Sequence, residues 1–155
     1  MTRHQTSAWN AAFRLLGNAH DAEEIAQEAF LRILRAAAGY RPTATFRTYL
    51  YRIIARLCRD RRRRGAGPST NWDPDAMTNQ APGPESCLAA LEERRAVQEA
   101  LASLPAKQRE AVTLRYYESL SYDEIGEIIG VSRKGVERLL ARGRAALARH
   151  LGADF

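Results

Sequence analysis

The stretch Ser121-Tyr-Asp-Glu-Ile-Gly-Glu-Ile-Ile-Gly-Val-Ser-Arg133 predicts two short helices joined by a tight turn. Its opening Ser, followed three residues later by Glu, is the capping-box pattern that begins a helix. Gly130 suits the positive φ at which a helix ends, and Ser132 is placed to cap the helix that follows, over about 133–150. The pattern predicts a helix-turn-helix, with an ordinary helical hairpin as the alternative.

The start of the second helix carries charged side chains that would lie on its exposed face. In a helix-turn-helix this end enters the major groove of duplex DNA, where side chains contact base edges and the flanking phosphates. The predicted contact residues are Ser132, Arg133, Lys134, Glu137, Arg138 and Arg142. In a plain hairpin the same residues would form only a solvated charged face.

Apolar periodicity over the rest of the chain predicts an all-α protein without strands. Further helices are expected over about 5–16, 20–37, 45–63, 88–102 and 105–117. Residues 65–85 hold four of the six prolines and three of the ten glycines and show no periodicity, which is the composition of a flexible linker. We therefore predict two small helical domains, 1–64 and 86–155, joined by that linker. The proline in Ser103-Leu-Pro105 predicts a helix start, with Ser103 as its cap.

Positive charge is concentrated in the first domain, which has 13 arginines and only five acidic residues. Arg52, Arg56, Arg59 and Arg63 recur at helical spacing and would form a stripe able to neutralise a line of phosphates. Four aromatic residues precede or begin this stripe and could stack on unpaired bases: Tyr40, Phe46, Tyr49 and Tyr51. The alternative is a solvated helix end, with Phe46 and some of the tyrosines in the core.

Several classes of function find no support in the residues. The two cysteines are far apart and the three histidines are scattered, so no metal site, disulfide framework or cofactor is expected. The chain has no Gly-rich phosphate loop, no signal core and no apolar run of membrane-spanning length, which favours the cytoplasm. An acidic cluster over 21–28 is explained by its place at a helix N-terminus, with a binding face as the functional alternative.

Two sets of motifs resemble the extracytoplasmic-function (ECF) sigma factors of RNA polymerase, within the sigma-70 family. Asp21-Ala-Glu-Glu-Ile-Ala-Gln-Glu-Ala-Phe-Leu-Arg-Ile-Leu-Arg35 and Phe46-Arg-Thr-Tyr-Leu-Tyr-Arg-Ile-Ile-Ala-Arg56 resemble region 2 of that family. Ala100-Leu-Ala-Ser-Leu-Pro-Ala-Lys-Gln-Arg-Glu110 and Leu120-Ser-Tyr-Asp-Glu-Ile-Gly-Glu-Ile-Ile-Gly-Val-Ser132 resemble region 4. They occur in the family's order, on either side of the linker.

The resemblance implies that the chain binds core RNA polymerase and directs promoter-specific initiation, without catalysis of its own. Region 2 would bind the β′ clamp helices through Glu24, Gln27, Glu28, Leu31 and Arg35. Region 2 would also recognise and melt the −10 element through Tyr40, Arg41, Phe46, Tyr49, Arg52, Arg56, Arg59 and Arg63. Region 4 would bind the −35 element through the second helix of the helix-turn-helix and contact the β flap through its first helices. An anti-sigma factor is an expected further partner.

Two other functions are alternatives to this one. A free-standing helix-turn-helix regulator, binding operators as a dimer, would not need the acidic helix over 21–35. A small hydrolase using the acids of 21–28 would lack a base and a pocket.

The sequence Lys134-Gly-Val-Glu-Arg-Leu139 departs from the family's usual Gly-Thr-Val-Lys-Ser-Arg, which implies a different −35 preference. Tyr49 stands where the family often has Trp.

Overall fold

The computed structural model describes residues 2–36, 45–65 and 87–152, which form seven α-helices and one π-helix and contain no strand. The elements are α1 (Thr2–Leu16), α2 (Ala19–Ala36), α3 (Phe46–Arg64), α4 (Cys87–Ser103), α5 (Ala106–Val112), a π-helix (Thr113–Tyr117), α6 (Tyr122–Ile129) and α7 (Arg133–Leu151). The all-α prediction is confirmed. Residues 66–86, which include almost all of the predicted linker, lie outside the described residues, as do Tyr40 and Arg41.

The N-terminal helices, α1 to α3, share one apolar core. Ala22, Ile25, Ala26 and Ala29 of α2 are buried against α1 and α3, as the helical period predicts. The helical period of the sequence also predicts Leu34 on this buried face, and that prediction is wrong, because burial declines toward the last turn of α2 and Leu34 is 62% exposed. Thr45 caps α3 as predicted, its hydroxyl accepting a hydrogen bond from the backbone N–H of Thr48.

The C-terminal helices, α4 to α7, contain the predicted helix-turn-helix. Ser121 and Glu124 form the capping box at the start of α6, and Gly130 ends that helix at φ 82°. The Ser132 hydroxyl accepts from the N–H of Gly135, at 3.1 Å, and begins α7. Each local signal in the opening stretch of sequence therefore has the role that its chemistry predicts.

The junction between α4 and α5 differs from the sequence expectation. Ser103 does not cap α5, because it is the last residue of α4 and its hydroxyl donates to the Ala100 carbonyl at 2.6 Å. Pro105 itself occupies the cap position of α5, without a side-chain hydrogen bond. The proline still predicts the helix start correctly, since its ring leaves no N–H to be satisfied there.

The single helix predicted to end at Tyr117 is an α-helix as far as Val112 and a π-helix beyond it. The wider turn of a π-helix forms i to i+5 hydrogen bonds, here from the N–H of Glu118 to the Thr113 carbonyl at 3.3 Å. Ser119 follows at φ 57°, in the left-handed region. This irregular segment brings the Glu118 side chain beside the N-terminal helices.

The N-terminal and C-terminal helices pack directly on each other. The Arg109 guanidinium of α5 donates to the Leu15 carbonyl at the end of α1, at 2.7 Å, and the Gln98 amide donates to the Phe13 carbonyl at 3.3 Å. Burial lowers the pKa of Arg109 to about 10. The Leu15 carbonyl belongs to the last turn of α1, where carbonyl groups lack helical partners, whereas the Phe13 carbonyl also accepts from the N–H of Gly17 at 2.7 Å. Within the described ranges, no helix combines the length and apolarity needed to cross a membrane.

Candidate nucleic-acid interface

The exposed face of α7 carries the residues predicted to contact duplex DNA. Val136 and Leu140 are buried on the opposite face, where they hold α7 against the rest of the C-terminal helices. All six predicted contact residues are exposed: Ser132, Arg133, Lys134, Glu137, Arg138 and Arg142. The helix therefore presents one continuous polar surface, beginning at a capped N-terminus, that a groove of DNA can receive.

Two glycines set the position of α7. A Cβ on Gly126 would lie 2.7 Å from the Val131 carbonyl oxygen, so α6 and the turn approach each other closely only because this residue has no side chain. A Cβ on Gly143 would lie 2.7 Å from Cγ2 of Val112, which places α7 tightly against α5. The close approach at Gly143 had no signal in the sequence, because its partner Val112 lies 31 residues earlier in the chain.

The Arg133 side chain is oriented by its neighbours on α6 and α7. Its guanidinium carbon lies 5.6 Å from the centre of the Tyr122 ring, and its nitrogens lie 3.6 Å and 3.9 Å from carboxylate oxygens of Asp123 and Glu137. The guanidinium carbon of Arg115 lies 4.9 Å from the centre of the same ring. The two carboxylates are exposed, so their ion pairs with Arg133 are weak and a phosphate can replace them.

A groove between α2 and α3 gathers four of the five residues predicted to bind core polymerase. Its lining includes Glu24, Gln27, Glu28 and Leu31, whereas Arg35 is exposed nearby without lining it. Other residues of the lining are Ile25, Arg32, Leu57, Asp60, Arg61 and Arg64. The groove is therefore a charged surface with both signs of charge and a partly apolar floor.

Several charged residues of this groove are paired within the chain. Arg61 of α3 donates to Asp21 at 2.9 Å and to Glu24 at 2.7 Å, and the hydrogen bond from Arg61 lowers the pKa of the Glu24 carboxyl. Beside these ion pairs, Leu31 and Leu34 are 45% and 62% exposed. Two exposed leucines on a polar helix are typical of a surface that a partner covers.

The predicted arginine stripe on α3 is divided between solvent and the C-terminal helices. Arg56 and Arg63 are exposed, and neither has an ion-pair partner among the described residues. Arg52 lies 3.3 Å from the Glu127 carboxylate of α6. The Nε atom of Arg59 lies 3.0 Å from one carboxylate oxygen of Glu110 and 3.3 Å from the other.

The aromatic residues near the stripe also have different environments. Phe46 is 37% exposed and meets the His4 ring edge-on, so the alternative that placed it in the core is wrong. Tyr49 is half-buried. Tyr51 is buried to 2% exposure, and its hydroxyl donates to the Glu118 carboxylate. Of the three described aromatics, Phe46 is the best placed to meet an unpaired base.

Buried carboxylates of the C-terminal helices line the side of α3 that faces them, and sequence analysis missed them. Glu110 is 1% exposed and Glu118 is 6% exposed. Burial raises the pKa of the Glu118 carboxyl and of the Tyr51 phenol that bonds to it. A carboxylate is rarely buried this deeply unless it is paired, so their positions in otherwise apolar stretches were the available signal.

No metal site is present in the part of the chain that the structure describes. No group of three or more His, Cys, Asp or Glu side chains there could hold a metal ion. Cys58 is buried within α3 and is not part of any disulfide.

Comparison with known protein families matches both halves of the chain. The family described as Sigma-70 region 2 matches residues 1–67, and the family described as Sigma-70, region 4 matches residues 86–147. The chain is 39% identical to the ECF RNA polymerase sigma factor SigE of Mycolicibacterium smegmatis, with 96% of this chain aligned to 59% of that protein. It is 33% identical to the ECF sigma factor SigW of Bacillus subtilis, with 96% aligned to 84%.

Solved structures share the fold. CnrH in complex with the cytosolic domain of CnrY superposes with a TM-score of 0.72 at 25% identity, covering 99% of this chain and 86% of that one. RpoE from Bartonella quintana, in complex with the anti-sigma factor NepR, superposes with a TM-score of 0.73 at 18% identity, covering 97% and 93%. The arrangement of α1 to α7 is thus one that solved proteins adopt.

Proposed function

The chain belongs to the sigma-70 family as an ECF sigma factor, and from this membership we propose that it binds core RNA polymerase and directs initiation from specific promoters. The observation that carries the proposal is the presence, in order on one chain, of region 2 and region 4. The role has no catalytic step of its own and needs no cofactor, since the polymerase forms the phosphodiester bonds. It is exercised in the cytoplasm, where the polymerase acts.

The division of labour follows the two matched regions. We assign residues 1–64 to core polymerase and the −10 element, residues 65–85 to a flexible linker, and residues 86–155 to the −35 element. A free-standing regulator needs only the helix-turn-helix. The exposed Leu31 and the charged groove of α2 and α3 favour the polymerase-bound role, because they form a second surface away from α7.

The docking surface for the β′ clamp helices is the groove between α2 and α3. Its acidic residues would exchange their internal partners for basic side chains of the clamp, while Leu31 contributes apolar contact area. The residues assigned to this surface are Glu24, Gln27, Glu28, Leu31 and Arg35. The first helices of the C-terminal half would approach the β flap.

The two DNA elements are read by different helices. On α7, Arg133, Lys134, Glu137, Arg138 and Arg142 face the major groove of the −35 element, with the capped start of the helix at Ser132 close to the backbone. On α3, the arginine stripe follows the phosphates of the opened −10 strand, with aromatic side chains available for stacking. The −10 assignment includes Tyr40, Arg41, Phe46, Tyr49, Arg52, Arg56, Arg59 and Arg63.

An anti-sigma factor is proposed as a regulatory partner. The support comes from CnrH, which was solved in complex with the cytosolic domain of CnrY and resembles this chain over its length. A partner of that kind would cover the helices that dock on polymerase or DNA, and its removal would release the sigma factor. Deletion of the gene for such a partner should raise transcription from the promoters that this chain uses.

The polymerase-binding proposal is tested with a charge-reversal pair. Glu24→Lys with Glu28→Lys should reduce capture of the purified chain by immobilised core polymerase by about tenfold or more, because two like charges then face the clamp. Asp73→Lys with Asp75→Lys makes the same charge change within residues 65–85, which are assigned to neither polymerase surface, and serves as the control. Equal capture of the two folded variants would place the docking surface elsewhere.

A further inference from the structure

We propose that the C-terminal helices act as an intramolecular competitor for −10 DNA. Buried carboxylates on these helices occupy the DNA-facing side of α3, so the chain must open before that side can receive a DNA strand. The −35 helix α7 remains accessible in the closed form. The inference depends on the DNA-binding role proposed above for α3, and it adds a state in which that role is blocked from within the chain.

The ion pair of Arg59 and Glu110 is the clearest case in which a carboxylate takes the place of a DNA phosphate. The Arg59 guanidinium lies against both carboxylate oxygens of Glu110, at 3.0 Å and 3.3 Å, and a second nitrogen donates to the Ile128 carbonyl at 2.8 Å. Arginine binds carboxylate and phosphate with the same planar array of donors. A phosphate therefore cannot reach these donors while Glu110 holds them.

A second contact closes the upstream part of α3. Glu118 accepts from the Tyr51 hydroxyl, and its other carboxylate oxygen lies 3.8 Å from Arg14 of α1. The backbone carbonyl of Glu118 accepts a hydrogen bond from Arg47. One residue of the π-helix turn thus engages a hydroxyl and two guanidinium groups of the N-terminal helices.

Two carboxylates of α6 extend the same line along α3. Glu124 accepts from the Thr48 hydroxyl at 2.7 Å, and this hydrogen bond lowers the pKa of the Glu124 carboxyl. Glu127 pairs with Arg52 at the exposed rim, at 3.3 Å. Four acidic residues from the C-terminal half therefore face one side of one helix. They are Glu110, Glu118, Glu124 and Glu127.

Charge complementarity explains why a DNA-binding helix accepts this partner. The segment from Arg47 to Arg64 has eight Arg and one acidic residue, so its strongest ligands are polyanions. A row of carboxylates reproduces part of the phosphate pattern, and Glu110 is shielded from water while the Arg59 side chain stays 31% exposed. Burying the Glu110 carboxylate is tolerable only because it meets the Arg59 charge, which happens in the closed form.

The −35 helix has no comparable cover. The residues of α7 assigned to duplex DNA are exposed, and Arg133 contacts side chains of the C-terminal half, namely Tyr122, Asp123 and Glu137. The closed chain should therefore bind duplex DNA while it excludes a single strand from α3. This asymmetry distinguishes the proposal from a compact shape that would hide both surfaces.

The test compares two charge-matched variants of the full chain. Glu110→Gln with Glu118→Gln removes two carboxylates from the contact, and Glu92→Gln with Glu93→Gln removes two from the exposed surface of α4. The probes are a fluorescent 20-nucleotide single strand of random sequence and a random duplex, at one salt concentration. Small-angle X-ray scattering measures compactness in parallel, and thermal denaturation followed by circular dichroism checks folding.

The expected result is that the Glu110/Glu118 variant expands and binds the single strand about fivefold to tenfold more tightly than the control variant, because the competent open form is no longer a minor population. Duplex binding should change equally in the two variants. An expanded variant without tighter single-strand binding would overturn the blocking role. An unchanged radius together with unchanged single-strand binding would overturn the claim that these carboxylates hold the chain closed.

A cross-link provides a second measurement that does not depend on the stability of that variant. In a Cys87→Ser background, Arg52→Cys and Glu127→Cys place thiols on either side of the contact, where a short bis-maleimide can join them. The cross-linked chain should lose single-strand binding and keep duplex binding, relative to the same protein capped with N-ethylmaleimide. Equal single-strand binding by the two preparations would overturn the proposal.

A further variant tests separately whether α3 binds single-stranded DNA at all. Arg56→Ala with Arg63→Ala, added to the Glu110/Glu118 variant, should weaken single-strand binding, because both arginines are exposed on α3. If it does not, α3 is not the single-strand surface, and the proposed −10 role fails even where scattering still reports opening. If the added substitutions weaken single-strand binding, α3 is the single-strand surface. The difference in single-strand affinity between the Glu110/Glu118 variant and the closed chain then measures the blocking alone.

Discussion

Tyr51 of α3 donates its hydroxyl hydrogen to a carboxylate oxygen of Glu118, although 67 residues separate the two along the chain. Both residues are buried, and burial raises the pKa of each side chain. The contact joins the helix proposed to bind the −10 strand to the turn that precedes the helix-turn-helix. Under the proposed −10 role of α3, this contact would link packing of the core to access of DNA to the helix.

The first prediction concerns the strength of that link. Tyr51→Phe removes the hydroxyl and leaves a buried carboxylate with one fewer donor, so the free energy of unfolding should fall by about 1–2 kcal/mol. Tyr116→Phe removes a hydroxyl that is on a 52% exposed side chain and should have little effect. Urea denaturation of both variants measures the difference. Equal stability of the two would mean that the Tyr51 contact contributes nothing in solution.

The second prediction concerns the close approach at the turn of the helix-turn-helix. Gly126→Ala forces a methyl group toward the Val131 carbonyl, at 2.7 Å, and should destabilise the chain by about 1–3 kcal/mol. Gly65→Ala serves as the control, because its Cβ would meet the Arg61 carbonyl at an ordinary 3.6 Å. Thermal melting of both variants gives the comparison. A Gly126→Ala protein as stable as the Gly65→Ala protein would contradict the described packing.

The third prediction separates the two DNA elements. Arg138→Ala should change which −35 sequences are used, since losing a base contact typically costs about 1–3 kcal/mol at one position. Arg63→Ala should reduce formation of open complexes without changing −35 preference, and should lower the salt slope by about one unit. Transcription of a promoter library with each variant and core polymerase is the measurement.

Arg144→Ala is the control for the third prediction. Arg144 is exposed on α7, as Arg138 is, but it lies about three turns beyond the start of the helix, past the last residue assigned to DNA, Arg142. Its removal should leave the −35 preference unchanged. Equal shifts from Arg138→Ala and Arg63→Ala would mean that the two helices do not divide the promoter between them.

The fourth prediction follows from the burial of Cys58. Burial raises the pKa of this thiol to about 12, so at pH 8 only roughly one molecule in ten thousand carries the reactive thiolate. In a Cys87→Ser protein, a disulfide reagent should find no reactive thiol in the native state and one after guanidinium denaturation. Rapid labelling of native protein at pH 8 would show that the face of α3 carrying Cys58 is open to solvent.

Local signals predicted the helices and their ends well. The capping box at Ser121, the left-handed Gly130 and the cap at Ser132 each depend on chemistry within a few residues, and each is present in the structure. The burial of Ala22, Ile25, Ala26 and Ala29 on α2 was also predictable, because helical periodicity depends on residues close together in the sequence. The exposed face of α7 was predictable because a buried Val136 fixes which side of the helix faces outward.

The contact between the two halves could not be predicted in the same way. Glu110 and Arg59 are 51 residues apart, and the segment between them has no periodic pattern that would indicate their relative position. The π-helix was missed because its sequence continues the apolar pattern of α5. Ser103 was misassigned because it stands at a junction where it can serve the end of one helix or the start of the next.

Reconstituted transcription tests the central claim most directly. Core RNA polymerase from the source bacterium is combined with the purified chain and genomic DNA fragments, and the 5′ ends of the transcripts are mapped. We predict start sites that are absent with core enzyme alone, that share two sequence elements, and that disappear when the chain carries Glu24→Lys with Glu28→Lys. A chain that binds the fragments yet produces no start site beyond those of core enzyme alone would contradict its assignment as a promoter-directing sigma factor.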